Sequence, residues 1–174
     1  MKRIFLIGYM GSGKTTVGLD LARKLNLSFI DLDTHIEERF HKTVKQIFAE
    51  KGEESFRKIE QNMLHEVAEF EDVVISAGGG TPCFFDNMDY MNEKGTTIFL
   101  DVPPEELVRR LDSARHTRPV LKDLRGDALL QFVNENLEKR MPFYSKASKR
   151  ADASSLDSAE EIDKVAESII KLTE

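Results

Sequence analysis

The chain has a single cysteine, Cys83, among 174 residues, so an internal disulfide and a cysteine-rich metal site are both excluded. A reducing compartment is the natural reading of so little cysteine. No apolar stretch approaches membrane-spanning length, and the short run behind Met1-Lys2-Arg3 ends at Gly8 without a cleavage site. The simplest placement is cytoplasmic, away from any membrane. Positive charge is also in deficit: 31 acidic against 25 basic side chains leave a net charge of −6, so there is no general field to attract a nucleic acid or an anionic surface. An anionic ligand must then be held by local cations. The four histidines, His35, His41, His65 and His116, are too scattered to suggest a metal site. Internal repeats, low-complexity tracts and linkers are absent. With hydrophobic content of 40% and charged content of 32%, the chain reads as one soluble domain large enough for an ordinary core.

Against these absences stands one dense motif, Gly8-Tyr-Met-Gly-Ser-Gly-Lys-Thr15, directly behind the apolar run Ile4-Phe-Leu-Ile7. A strand, then Gly with four free positions before Gly-Lys-Thr, then a helix, is the context a phosphate-binding loop requires. Glycines 8, 11 and 13 let backbone N–H groups approach an anion, and the helix that follows adds its free N–H groups and the positive end of its dipole. Lys14 can reach the β- and γ-phosphates of a nucleotide, and the Thr15 hydroxyl can ligate the accompanying Mg²⁺. Gly11, Ser12, Gly13, Lys14, Thr15 and Thr16 are therefore the candidate nucleotide-binding residues.

The order of elements predicts an α/β fold with a parallel sheet. Strands are expected at Arg3 to Ile7, Ser28 to Asp31, Val73 to Ser76 and Thr97 to Val102, with a short edge strand at Ala151 to Ala153. Strand two ends in Asp31-Leu-Asp33, two carboxylates at the carboxyl end of a strand, where open α/β sheets build their sites. Asp33 can equally serve as the N-cap of a helix from Thr34 to Phe40. Thr43-Val-Lys-Gln46 opens a further helix through a capping box, Gly52 breaks it, and Glu53 to Glu69 resumes it. On composition alone, Arg57 and Glu60 within this segment read as solvated helix charges. After strand three come Gly78-Gly79-Gly80, either a flexible turn or a place where backbone approaches a ligand closely.

A short helix is expected from Phe84 to Glu93, and another from Pro104 through Leu111. The segment from Arg109 to Gly126 breaks apolar periodicity and concentrates positive charge, as a lid over phosphates or a solvated basic loop would. The next helix, Ala128 to Tyr144, turns Leu130, Val133, Leu137 and Met141 inward, and Pro142 kinks or ends it. Ser158-Ala-Glu-Glu161 is a capping box for a final amphipathic helix.

Taken together, Gly8 to Thr15, Phe29-Ile-Asp-Leu-Asp33, Glu53-Glu-Ser-Phe-Arg57-Lys-Ile-Glu60, Ala77-Gly-Gly-Gly80, Thr117-Arg-Pro-Val120 and Lys139-Arg-Met-Pro-Phe-Tyr144 closely resemble the shikimate kinase family, in the same order across nearly the whole chain. The resemblance implies ATP- and Mg²⁺-dependent phosphorylation of the 3-hydroxyl of shikimate in aromatic amino-acid biosynthesis. It also implies a three-layer P-loop kinase fold with a five-stranded parallel sheet in the order 2-3-1-4-5. One monomeric domain would span 1–174, with a core of 1–32, 61–110 and 128–174, a shikimate-binding insertion of 33–60 and a lid of 111–127. By the same resemblance, Asp33 binds the acceptor hydroxyls and is the candidate base, with Lys14 and Arg118 completing the catalytic set. Asp31 and Thr15 lie at the Mg²⁺. Arg57, steadied by Glu60, and Arg140 clamp the substrate carboxylate over Gly78, Gly79 and Gly80. Arg118 reaches the phosphates from the lid, and Arg110, or Arg109 in its place, lies against adenine. Two rivals share the phosphate loop: another small-metabolite kinase such as a gluconate kinase, and a nucleotide-dependent switch.

Overall fold

The computed structural model describes residues 1–114 and 124–174. Five parallel strands form its centre: β1 (Arg3–Ile7), β2 (Ser28–Asp31), β3 (Val73–Ser76), β4 (Thr96–Asp101) and β5 (Lys149–Asp152), in the order β2-β3-β1-β4-β5. This is the expected order, and every pairing is parallel. The central strands carry unbroken apolar runs because helices cover both faces; Ile4 to Ile7 and Val73 to Ile75 are fully buried. The edge strand β5 is exposed except at Ala151, and its sequence is accordingly polar.

Register decides where the chain can do chemistry. Ser76 pairs with Leu6 on one side and with Asp31 on the other. The segments leaving β1, β2 and β3 therefore emerge side by side at one edge of the sheet. This is the carboxyl edge, next to the point where the chain reverses direction across the sheet, and open α/β sheets place their ligands there.

Helix α1 (Lys14–Leu25) follows the first of these segments, burying Val17, Leu21 and Ala22 and closing at Asn26 in a left-handed conformation. Helices α2 (Leu32–Phe40) and α3 (Val44–Val67) follow β2. The Thr43–Gln46 capping box forms as expected, and Gly52, with φ 80° and ψ 171°, kinks α3 where the sequence marks a break. The remaining helices are α4 (Asn87–Lys94), α5 (Pro104–Ser113), α6 (Gly126–Tyr144) and α7 (Ala159–Thr173), the last opened by the Ser158–Glu161 capping box.

Several local expectations shift, among them the edge strand, which spans Lys149–Asp152 instead of Ala151 to Ala153. The segment after β3 is not one helix from Phe84; a 3-10 turn at Thr81–Cys83 comes first, because Pro82 suits a tight first turn and Thr81 and Cys83 donate backbone bonds back to Gly78 and Gly80. In α6, Leu129 and not Leu130 is buried, in line with Val133 and Leu137 at successive spacings of four, while Leu130 sits a third of a turn aside. Pro142 does not end α6, since Ser145 N–H bonds to the Met141 carbonyl and the last turn closes around the ring. Most of the expected lid, including Arg118, lies outside the described residues. Among those that are described, no helix is long and apolar enough to cross a membrane.

Gly95 shows how tightly α4 is threaded back into the sheet. A Cβ there would sit 2.4 Å from the Arg3 carbonyl oxygen and 2.8 Å from its Cβ. Backbone in a central strand cannot yield as a side chain can, so Gly95→Ala is expected to destabilise the protein by about 2 kcal/mol, within the overpacking range. Urea unfolding of the two proteins measures this, and an unchanged midpoint would contradict the packing described.

Candidate active site

The loop between β1 and α1 wraps a cavity of about 430 Å³ that continues past Asp31 and Asp33 to the backbone of Gly78 and Gly79. Gly11 and Gly13 hold φ values of 83° and 94°, a left-handed region that favours glycine. This conformation brings the amide-rich turn to the amino end of α1, where an anion is stabilised by free N–H groups and the helix dipole. Lys14 Nζ lies back across the loop, donating to the carbonyls of Gly8 at 2.7 Å and Tyr9 at 3.0 Å. Thr15 and Thr16 line the same cavity, and Ser12 is buried beneath it.

The reading of Asp33 as a helix N-cap is corrected. Asp31, not Asp33, caps α2: its Oδ1 accepts from Thr34 N–H at 3.0 Å, and the helix starts at Leu32. Its other oxygen, Oδ2, accepts from the Thr15 hydroxyl at 3.0 Å. Thr15 and Asp31 thus present adjacent hard oxygen donors beside the phosphate loop. No cluster of three or more His, Cys, Asp or Glu suited to a metal exists among the described residues. A magnesium ion that takes its remaining ligands from phosphates and water fits this donor pair.

Asp33, freed from capping, points into the cavity. Its carboxyl is pushed up from 3.8 to about 6, first by burial, then by the negative charges of Glu60 and Asp31, with Lys14 pulling the other way. It is mostly ionised at neutral pH, yet binds a proton more readily than an ordinary aspartate.

Beyond Asp33, Gly78 and Gly79 line the cavity. A Cβ at Gly79 would come within 3.1 Å of Arg140 Nη1, and one at Gly80 within 2.8 Å of Arg57 Nη2. Both guanidinium groups therefore pack directly on glycine backbone, which rejects the reading of a merely flexible turn. Nor is Arg57 a solvated charge. Its Nη1 donates to Glu60 Oε1 at 3.0 Å, and Glu60 is only 1% exposed. Its guanidinium carbon lies 4.1 Å from the Phe84 ring centroid and 5.3 Å from that of Phe56. Its Nε is buried with no hydrogen bond among the described residues, the Glu53 carboxylate standing 3.6 Å away as an ion-pair partner. Arg140, from α6, stands over the Tyr9 ring of the phosphate loop at 5.3 Å. The Tyr144 hydroxyl, one turn further on, donates to the Gly79 carbonyl at 2.6 Å.

At the opposite end, Arg110 lines the cavity and donates to the carbonyls of Gly11 at 3.2 Å and Ala153 at 2.7 Å. Arg109 turns outward to Glu106 and Asp157. Of the two arginines, only Arg110 lines the cavity. A larger cleft of about 980 Å³ opens between β5 and α6, but none of the residues above lies in it. Thr81, Phe84 and Tyr144 also build the site, though no role is expected of them from sequence: Thr81 and Phe84 stand shortly after the triple glycine, and Tyr144 closes the motif that carries Arg140.

Asp33 yields a stability prediction. Because its folded value lies above 3.8, the folded protein keeps this proton longer than the unfolded chain as pH rises. The group therefore costs stability progressively between about pH 4 and pH 6, and the penalty stays in place at neutral pH. Asp33→Asn is expected to stabilise the free protein by about 2 kcal/mol at pH 7 and by much less at pH 4. Chemical denaturation at the two pH values measures the difference; equal effects at both would mean the carboxyl is not perturbed.

Comparison with known proteins supplies a family context for this geometry. A family model described as Shikimate kinase matches residues 10–173. A protein named Shikimate kinase from Parabacteroides distasonis is 59% identical over 99% of both chains. The crystal structure of shikimate kinase from Bacteroides thetaiotaomicron superposes with a TM-score of 0.96 at 54% identity, covering 99% of this chain and 98% of the other. That of shikimate kinase from Acinetobacter baumannii in complex with shikimate gives 0.85 at 29% identity, covering 99% and 93%.

Proposed function

The chain belongs to the shikimate kinase family, and from that premise we propose how its cavity transfers the γ-phosphoryl group of ATP to the 3-hydroxyl of shikimate, giving shikimate 3-phosphate and ADP. The observation that carries this reading is a cavity lined by the anion-binding loop, by Asp33 and by Gly78 and Gly79, with Arg140 and Arg57 packed against the backbone of Gly79 and Gly80.

The phosphates of ATP lie along Gly11 to Thr16, with the base toward Arg110. Lys14 exchanges its carbonyl partners for the β- and γ-phosphates, where its charge offsets theirs as the bond to the bridging oxygen lengthens. Thr15 and Asp31 would hold Mg²⁺, which when bound would offset part of the phosphates' negative charge. Arg118 is assigned to the transferring phosphate from the family resemblance alone.

On the acceptor side, Arg57 and Arg140 take the shikimate carboxylate. Planar guanidinium forks match a carboxylate with two parallel charge-assisted bonds, which is how a protein of net charge −6 binds an acid. The glycines allow the ring to lie close to backbone, so the hydroxyl faces Asp33. Asp33 accepts the hydroxyl proton as the oxygen bonds to the γ-phosphorus, while the bridging oxygen leaves with ADP. Positioning and charge neutralisation carry most of the barrier reduction in such a transfer. The acceptor and ATP are both soluble small molecules, and a cytoplasmic monomer suffices for the reaction.

Assays of ADP release across a panel of hydroxylated acids test the proposal. Release is expected with shikimate; turnover with gluconate and none with shikimate would overturn it, and nucleotide hydrolysis indifferent to any acceptor would indicate a switch. Arg57→Ala is expected to raise the KM for shikimate by about 100-fold, the loss of a charged hydrogen-bond pair, with ATP affinity changed by no more than about twofold. Calorimetric titration of each substrate separates the two effects.

A further inference from the structure

The acceptor clamp has a support that its family motifs do not include. We propose that Thr81 is a positioning residue for acceptor binding: its hydroxyl holds Glu60 so that Arg57 keeps donors aimed at the substrate carboxylate. This rests on the assignment of Arg57 to the clamp.

Thr81 is fully buried at the end of the triple glycine. Its Oγ1 donates to Glu60 Oε2 at 2.8 Å, while Glu60 Oε1 takes Arg57 Nη1 at 3.0 Å. Each oxygen of a nearly inaccessible carboxylate thus has its own donor, from two different parts of the chain. Thr81 itself is pinned through its backbone. Its N–H bonds to the Gly78 carbonyl at 3.1 Å, and its carbonyl accepts from Asn87 Nδ2 at 2.9 Å. Asn87 is also fully buried.

Convergence at Gly78 explains why the arrangement is tight. A Cβ there would stand 2.9 Å from Thr81 Oγ1, 3.2 Å from Asp33 Oδ1 and 3.2 Å from Glu60 Oε2. The acceptor-facing aspartate, the carboxylate behind Arg57 and the threonine meet around one residue without a side chain. The aromatic rings beside Arg57 set where its guanidinium plane lies, but a ring face does not fix rotation within that plane. The directional bond to Glu60 does, more firmly than the exposed Glu53 carboxylate 3.6 Å from Nε, and Thr81 holds Glu60.

Without the hydroxyl, Glu60 Oε2 would be a buried charged acceptor lacking a donor. The carboxylate would then turn to take a second bond from Arg57, drawing in a donor that otherwise faces the substrate. Thr81→Val keeps the shape and removes the donor, so the effect is read in substrate binding rather than in packing.

The expected result for Thr81→Val is a rise of about tenfold or more in both KM and Kd for shikimate, with the Kd for ATP changed by no more than about twofold. Thr81→Ser, which restores the donor, brings shikimate affinity back to within about threefold. The Arg57 Nε–H signal in ¹⁵N NMR shifts in the valine variant and returns in the serine variant. Should the valine protein fail to fold, Thr81→Ala removes the same donor with a smaller side chain and carries the same expectation. Unchanged shikimate affinity in the folded valine or alanine protein overturns the proposal, as does an equal loss for ATP or a serine variant no better than valine. Arg57→Ala serves as the control: if it too leaves shikimate affinity unchanged, the clamp assignment has failed; if it weakens binding while Thr81→Val does not, the role of Thr81 alone has failed.

Discussion

The pairing of Ser76 with both Leu6 and Asp31 is the constraint on which the site depends. It brings the ends of β1, β2 and β3 level, so that the phosphate loop, the two aspartates and the triple glycine leave the sheet as neighbours. None of these segments reaches across a great distance. Each begins where a buried strand ends, and the strands are held by a core in which Ile4 to Ile7 and Val73 to Ile75 are closed to solvent. Rigid apolar strands thereby set the spacing of polar groups that would otherwise repel one another.

That repulsion is managed by giving each charge a fixed partner. Asp31 satisfies a helix end and the Thr15 hydroxyl at once. Glu60 divides its oxygens between Arg57 and Thr81. Asp33 is left as the carboxylate whose surroundings raise its proton affinity, to about 6. That raised proton affinity falls on a carboxylate facing the cavity, as groups in active sites often show. Arg140 adds a link between the two ends, since its guanidinium stands over Tyr9 of the phosphate loop while the next turn of α6 anchors Gly79 through Tyr144.

Much of this was legible in the order of residues. The strands, both capping boxes, the break at Gly52 and the phosphate loop follow from local chemistry, because backbone propensity and capping act within a few residues. Other features were not. Asp31 and Asp33 are both plausible caps, and which one meets the Thr34 N–H depends on where β2 releases the chain. Arg57 and Glu60 have the look of a solvated pair three residues apart; their burial comes from Phe84 and Thr81, over twenty residues further along.

By itself the sequence determined a parallel α/β fold, a nucleotide-phosphate loop and, through its ordered set of motifs, the family. Those properties reside in runs of neighbouring residues or in patterns that need no coordinates. Tertiary structure alone decided that Asp31 caps and Asp33 faces the cavity, that Arg110 rather than Arg109 turns inward, and that Thr81 stands behind Glu60. These outcomes rest on burial and on hydrogen bonds between distant segments, and a hydrogen bond's direction is set only once both partners are fixed in space.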